Sequence, residues 1–404
     1  MNKQLANEVV DEDEYLDRVF DTGAESYSPH HGLKTQFLPW HHPVKQIVRK
    51  YQWGNLTKRL FDERTPEHRG VLRYFSLPGK DLLDIRYLSD RLGEYSTKIE
   101  YFGFDSSLEK PEPSETEQPF PGDETALRQV GKITDNSIVL PDRLEDISED
   151  RSQAAERLAR EAPFDVVNID ACNHLTHIPT GRTKNLFAAF HTLLSHQFQA
   201  KQPWLLFLTT RVGPEFLGQP GEDFRAAIRK NIDEHPADFP VELGKCMNIS
   251  PDNLDENLEG AWDNQGDQFL RAYSIGLAKH LLQFFHGQGN FQAKLHLNSV
   301  YCYRVVDGAP DMLSFAFTIT PQPIRVNPPA ANGQLLGDPL ELGAAKRAIA
   351  RVQRIWDLDD AIGNDDGLVE EIVEEAEGLL SMASYSIPDW KEWVRGHAVR
   401  PIAI

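Results

Sequence analysis

Hydrophobic and polar positions along this chain fall into blocks whose period changes several times. Between residues 43 and 52, Val44, Ile47, Val48 and Tyr51 recur at i, i+3, i+4 and i+7, the spacing of one helical face. Pro43 suits the first turn of that helix. Lys45, Arg49 and Lys50 lie off the apolar face. From residue 71 the period shortens. Residues 71–77 read as a strand ended by Pro78 and Gly79, and residues 81–92 as a helix with Leu82, Ile85, Leu88 and Leu92 on one side. Residues 98–105 read as a second strand and residues 137–140 as a short third one. A helix over 151–161 leads to a fourth strand over 164–170. A strong helix over 183–200, with Leu186, Phe187, Phe190, Leu193 and Leu194 facing inward, leads to a fully apolar fifth strand over 204–210.

Strands separated by helices predict an α/β fold with a doubly wound, mostly parallel sheet. A helical insertion at 211–293 follows, with its clearest signals at 222–234 and 268–286. Two more strands, 293–306 and 312–320, flank the turn residues Gly308 and Pro310, so a C-terminal antiparallel hairpin is expected. Helical signals at 339–356 and 367–383 and a Trp-bearing tail at 387–393 close the chain. This divides it into 1–67, a mobile acidic start plus the basic amphipathic helix; 68–320, the sheet domain; and 321–404, an acidic helical extension. Residues 106–125 hold Pro111, Pro113, Pro119 and Pro121 among acids and read as a solvated loop.

Composition narrows the setting. The chain has 404 residues, 40% of them hydrophobic, enough for a large core. It has no apolar run of about 18 residues and no apolar signal-peptide core, so no membrane span is expected and a cytoplasmic protein is. Cys172, Cys246 and Cys302 are widely spaced, as in reduced chains, and form no thiolate zinc cage. A net charge of −20 disfavours general nucleic-acid coating. The charge is polarised, however. Residues 34–64 carry seven Lys or Arg against two acids, interleaved with aromatics, while residues 355–390 have no Lys or Arg and an acidic run at 357–377. Such ends can dock onto partner chains or copies, or screen each other. Mixed basic and aromatic residues also suit single-stranded nucleic acid, which the overall field does not favour.

The candidate chemistry sits at strand ends. Asp105 closes the second strand and Asp170 the fourth, and in open α/β sheets that rim binds ligands. Two acids there suggest a nucleoside pocket. After Asp170 come Cys172, Asn173, His174 and His177. His174 or Asp170 could serve as a general acid or base. The His174/His177 pair with one acid does not make three converging ligands, so no metal is assigned. Gly79-Lys80-Asp81 fails the phosphate-loop pattern, because Tyr74 and Asp81 replace its first Gly and its Ser/Thr. A calcium loop from Asp357 fails at Ala361, Ile362 and Leu368.

Strand–helix alternation followed by a helix and a terminal antiparallel hairpin resembles the class I S-adenosylmethionine-dependent methyltransferase fold, over roughly residues 68–320. The resemblance implies that the loop holding Gly79 admits the methionine arm of the cofactor. It implies Asp105 on the ribose, Asp142 or Asp146 near the adenine, and Asp170, Asn173 and His174 facing the methyl acceptor. Only Gly79 matches the family's glycine-rich loop, and Arg73 and Tyr74 stand where the first strand usually carries an acid. After the fourth strand there is neither an Asp/Asn-Pro-Pro-aromatic run nor a Pro-Cys pair. Two readings follow. One is a methyl-transfer enzyme, with the 211–293 insertion either a lid over the strand ends or a helical addition that builds an interface. The other is a non-catalytic scaffold on the same fold, a subunit of a multi-protein assembly such as a bacterial defence system.

Overall fold

In the computed structural model, residues 33–105, 119–250, 253–287, 291–306, 308–323 and 339–397 are described. The expected mobile start at 1–32 and the loop stretch 106–118 lie outside the described residues. The chain begins with α1 (Pro43–Ile47), a π-helical segment (Val48–Gly54) and α2 (Asn55–Asp62). The alternating region is β1 (Val71–Ser76), α3 (Leu83–Arg91), β2 (Lys98–Phe104), α4 (Pro119–Gln129), β3 (Ile138–Leu140), α5 (Gln153–Leu158), β4 (Val166–His174), α6 (Leu186–His196) and β5 (Trp204–Arg211). The insertion supplies α7 (Gly218–Glu234), α8 (Phe239–Met247), α9 (Leu254–Gly260) and α10 (Asp267–His286). The hairpin is β6 (Gln292–Tyr303) and β7 (Met312–Gln322). The tail holds α11 (Pro339–Val352), β8 (Trp356–Asp357), α12 (Leu358–Asn364), α13 (Asp366–Met382) and α14 (Ile387–His397).

One sheet runs β3-β2-β1-β4-β5-β7-β6-β8. β1 to β5 are parallel, and β7 lies antiparallel between β5 and β6. Side-chain alternation gives the sheet two buried faces. Phe75, Val167, Ile169, Leu206, Leu208, Phe315 and Phe317 belong to one core with residues of α5 to α11. Leu72, Tyr74, Ile99, Val166, Leu205, Phe207 and Ala316 belong to the other, with the N-terminal helices, α3 and α12 to α14. Several helices start where side-chain caps are available: Ser152, Asn185, Asp357 and Asp365 each accept a backbone N–H three residues on. Among the described residues no helix is long and apolar enough to cross a membrane.

Two expectations change. Residues 119–125 are not loop but the start of α4. β4 runs four residues past Asp170, with a register shift between Asp170 and His174. Lys45 and Arg49, off the apolar stripe, are buried as well, at 6% and 5% exposed. The tail of the chain lies over the N-terminal helix, so this helix is buried on more than one side. Its polar stripe, not only its apolar one, faces protein.

Candidate functional site

Because β1, β2 and β4 are parallel, Asp105 and Asp170 emerge at the same edge of the sheet. Asp105 donates its N–H to Leu140 O at 3.0 Å, which sets it beside the end of β3. The β1–α3 loop, residues 77–82, crosses this edge. Pro78 lies flat on β2: a Cβ at Gly103 would come within 2.8 Å of both Pro78 Cδ and Ser76 O. Gly79 differs. Its φ is not in the left-handed region, and among the described residues a Cβ there would meet only Trp40 Nε1, at 3.9 Å. The fold therefore does not require glycine at 79. Leu82, which precedes α3, is held at φ 53°, ψ 38°, a costly conformation for leucine.

A polar constellation fills the angle between the π-helical segment and this edge. Lys45 Nζ lies 2.5 Å from Asp170 Oδ1 and donates to Tyr303 Oη at 3.4 Å. The rings of Trp53 and Tyr303 sit 5.3 and 5.7 Å from the same ammonium, close enough for cation–π attraction. One turn on, the Arg49 guanidinium donates from Nη2 to Trp40 O at 2.8 Å, while its buried Nε has no partner among the described residues. Burial pushes the Arg49 pKa down, and the nearby Asp170 and Asp84 carboxylates oppose that. Asp84, on α3, accepts from Tyr74 Oη at 2.7 Å and Ser76 Oγ at 2.6 Å, and Tyr74 Oη accepts from Asn168 Nδ2 at 2.8 Å. Burial raises Asp84 above the usual carboxylate range. Gln52 completes the polar stripe by bonding Ser314 Oγ at 2.7 Å and Ser299 Oγ at 3.1 Å on the hairpin. π-helical turns recur at functional sites, and here one carries Arg49.

A second network anchors the loop. Asp81 accepts from Lys34 Nζ at 2.6 Å and from Tyr385 Oη at 2.5 Å. Burial alone would raise its pKa, but the His41 imidazole and the Lys34 ammonium outweigh burial and hold it below the usual range. Arg86 bonds Asp81 O, Met382 O and Asp123, and Trp390 Nε1 donates to His41 O at 2.9 Å. Both ends of the described chain are thus tied to the loop that carries Gly79.

The remaining sequence candidates separate. Asp142 is half-buried in the turn after β3. Asp146 is already engaged, accepting Arg143 N at 3.0 Å with Arg182 Nε 2.7 Å away. Asn173 spends its side-chain oxygen on the N–H of His174. His174 is 4% exposed, stacks on Phe216 at 4.3 Å and shares a 2.7 Å hydrogen bond with Thr176. Asp170 points toward Lys45, while Asn173 and His174 are held by their own loop and the turn at 214–216. Cys172 has a thiol that burial, with the Asp170 charge, pushes up to about 11. Among the described residues no three His, Cys, Asp or Glu side chains converge as a metal site. The basic and acidic segments meet within one chain: Lys50 pairs with Glu371 at 2.7 Å and with Glu375, and Tyr51 donates to Glu371 at 3.0 Å. Sequence reasoning missed Lys45, Arg49, Trp40, Trp53, Asp84 and Tyr303 as site residues. The available signal was the i, i+4, i+7 spacing of Lys45, Arg49 and Gln52.

A comparison with curated proteins gave no match. A protein-family model described as PP_RS20740-like matches residues 34–395, a span that takes in the sheet, the insertion, and the N- and C-terminal helices. The protein belongs to the PP_RS20740-like family.

Proposed function

We propose that this protein binds S-adenosylmethionine at the C-terminal edge of its sheet and is of methyltransferase type. The strand order carries the reading. A sheet ordered 3-2-1-4-5-7-6, with the seventh strand antiparallel, is the arrangement of the class I methyltransferase fold, and β8 merely adds to its edge. Within that frame Asp105 ends the second strand, where a ribose would be held. Gly79 supports the reading further, because its missing side chain serves no packing need among the described residues and leaves room for a ligand's backbone-close approach. When bound, the cofactor would supply an electrophilic methyl group. The protein's part would be to hold it and align an acceptor.

Titration with S-adenosylhomocysteine tests this. A ligand that binds only the native state raises the melting temperature. We expect a saturable upward shift, abolished in Asp105→Ala. A folded protein that shows no shift at millimolar ligand refutes the proposal.

A second reading, a non-catalytic subunit of a larger assembly, draws on one observation. The carboxylate best placed to meet an acceptor, Asp170, is engaged by Lys45. Under that reading the ligand is bound without turnover of any acceptor.

A further inference from the structure

We infer that Arg49 is the receptor for an anionic group of the ligand, specifically the carboxylate of an amino-acid arm; this rests on the cofactor reading above. The argument starts from a buried cation. A guanidinium out of water requires a counter-charge or a full set of acceptors, since burying an unpaired charge is costly. Arg49 is 5% exposed, yet its guanidinium donates to a neutral carbonyl, Trp40 O at 2.8 Å. Its Nε is buried without a partner among the described residues. The acids that it senses are committed elsewhere: Asp84 to Tyr74 and Ser76, Asp170 to Lys45. A guanidinium offers a planar fork that matches a carboxylate with two parallel hydrogen bonds. An anionic partner therefore satisfies what the described residues leave unmet.

The surroundings say which anion. Trp40, whose carbonyl holds Arg49, also carries the indole nearest to Gly79. Arg49 is thus linked through one residue to the loop where the fold leaves unneeded space. The neighbouring Asp170 keeps 24% of its side chain exposed, so the region reaches solvent. Next to one another stand a cation needing an anion and a carboxylate now holding an ammonium. That pairing matches an α-amino-acid head, with its carboxylate on Arg49 and its ammonium competing with Lys45 for Asp170. S-adenosylmethionine and S-adenosylhomocysteine carry that head; 5′-methylthioadenosine has the same nucleoside without it.

The experiment is calorimetric titration of wild type, Arg49→Gln and Arg49→Lys with S-adenosylhomocysteine and with 5′-methylthioadenosine. Wild type should prefer S-adenosylhomocysteine by about 10- to 100-fold, the range of a charge-assisted bidentate contact. Arg49→Gln should lose that preference while binding 5′-methylthioadenosine as wild type does, which also reports that it is folded. Arg49→Lys should fall between them. Equal wild-type affinity for the two ligands, or an unchanged preference in both variants, overturns the inference and leaves the cofactor reading standing. Wild type that binds neither ligand overturns both.

Discussion

Replacing Asp170 with Asn should cost more stability than replacing its partner Lys45 with Met. Unit charges about 3 Å apart attract by roughly 5–6 kcal/mol at an effective dielectric of about 20. Desolvation cancels much of that, so the pair's net worth is small, but breaking it from one side is not symmetrical. Lys45 has 7% of its side chain exposed and Asp170 has 24%. Asp170→Asn strands the more buried ion, whose remaining support is the Tyr303 hydroxyl and two aromatic faces. Loss of one partner from a fully buried pair costs about 3–5 kcal/mol, and the partial exposure here brings the expectation to about 2–3 kcal/mol. Lys45→Met keeps a long apolar stem against Trp53 and leaves the wetter ion behind, for about 1–2 kcal/mol. The double variant should be more stable than Asp170→Asn alone, because no buried ion is then unpaired. Urea unfolding of the four proteins, at constant slope against denaturant, measures all three differences. Asp170→Asn within about 0.5 kcal/mol of wild type, or Lys45→Met the more damaging single change, would refute the placement of an ion pair in a low-dielectric site.

Further outcomes follow from packing and titration. Gly79→Ala should be neutral or stabilising by up to about 1 kcal/mol, because its φ is ordinary and its Cβ meets nothing closer than 3.9 Å, while ligand affinity falls. Gly103→Ala should instead cost about 1–3 kcal/mol in the same melts, since its Cβ would press on Pro78 and Ser76 O at 2.8 Å. Equal effects at the two positions would sink the distinction between a packing glycine and a spare one. Burial holds His42 and His191 down to about 4. A folded pKa below the unfolded one gives stability that is full above pH about 6.5 and is lost as pH falls toward 4, at up to about 1.4 kcal/mol per pH unit for each group. His191, whose Nε2 is 2.8 Å from His280 Nε2, should lose its share in His191→Phe, visible as a shallower slope of unfolding free energy between pH 6.5 and 4.5. An unchanged slope would show that the pair is not held neutral. Asp81, held low, loses its stabilising contribution only in more acid solution.

The sheet was legible because its strands announce themselves. Trp204 to Thr210 has no position that tolerates water, and the 98–105 and 164–170 segments end on acids where a parallel strand reaches its rim. The turn residues between β6 and β7 set an antiparallel pair, which the register from Tyr303↔Met312 to Gln292↔Gln322 displays. Less was legible where contacts are distant in sequence. β4 was cut short at Asp170 because Cys172, Asn173 and His174 look like loop, yet Asp170 and His174 still pair with β5 on either side of a register shift. α8 and α9 were not anticipated: their charged, Gly-containing segments carry no long apolar period, and Leu243, Leu254 and Leu258 are buried against neighbours supplied by the rest of the insertion.

The site was hidden for a related reason. A helix read by its apolar stripe is assigned one buried side and one wet side. The 43–54 segment has neighbours on both, because the tail of the chain returns to it: Lys34 pairs with Ser384 and Ser386, and His41 O accepts from Trp390 across a separation of 349 residues. No local pattern could announce that return. Once it is made, the stripe of Lys45, Arg49 and Gln52, which lies off the apolar face, becomes the stripe facing the strand ends. Buried there, a cation without a complete set of partners signals binding far more strongly than the same residue on a surface, because only a partner of opposite charge offsets the cost of its desolvation. The acidic tail matters in the same way. Its glutamates neutralise Lys50 on the outer side, so that this cation is paired within the chain.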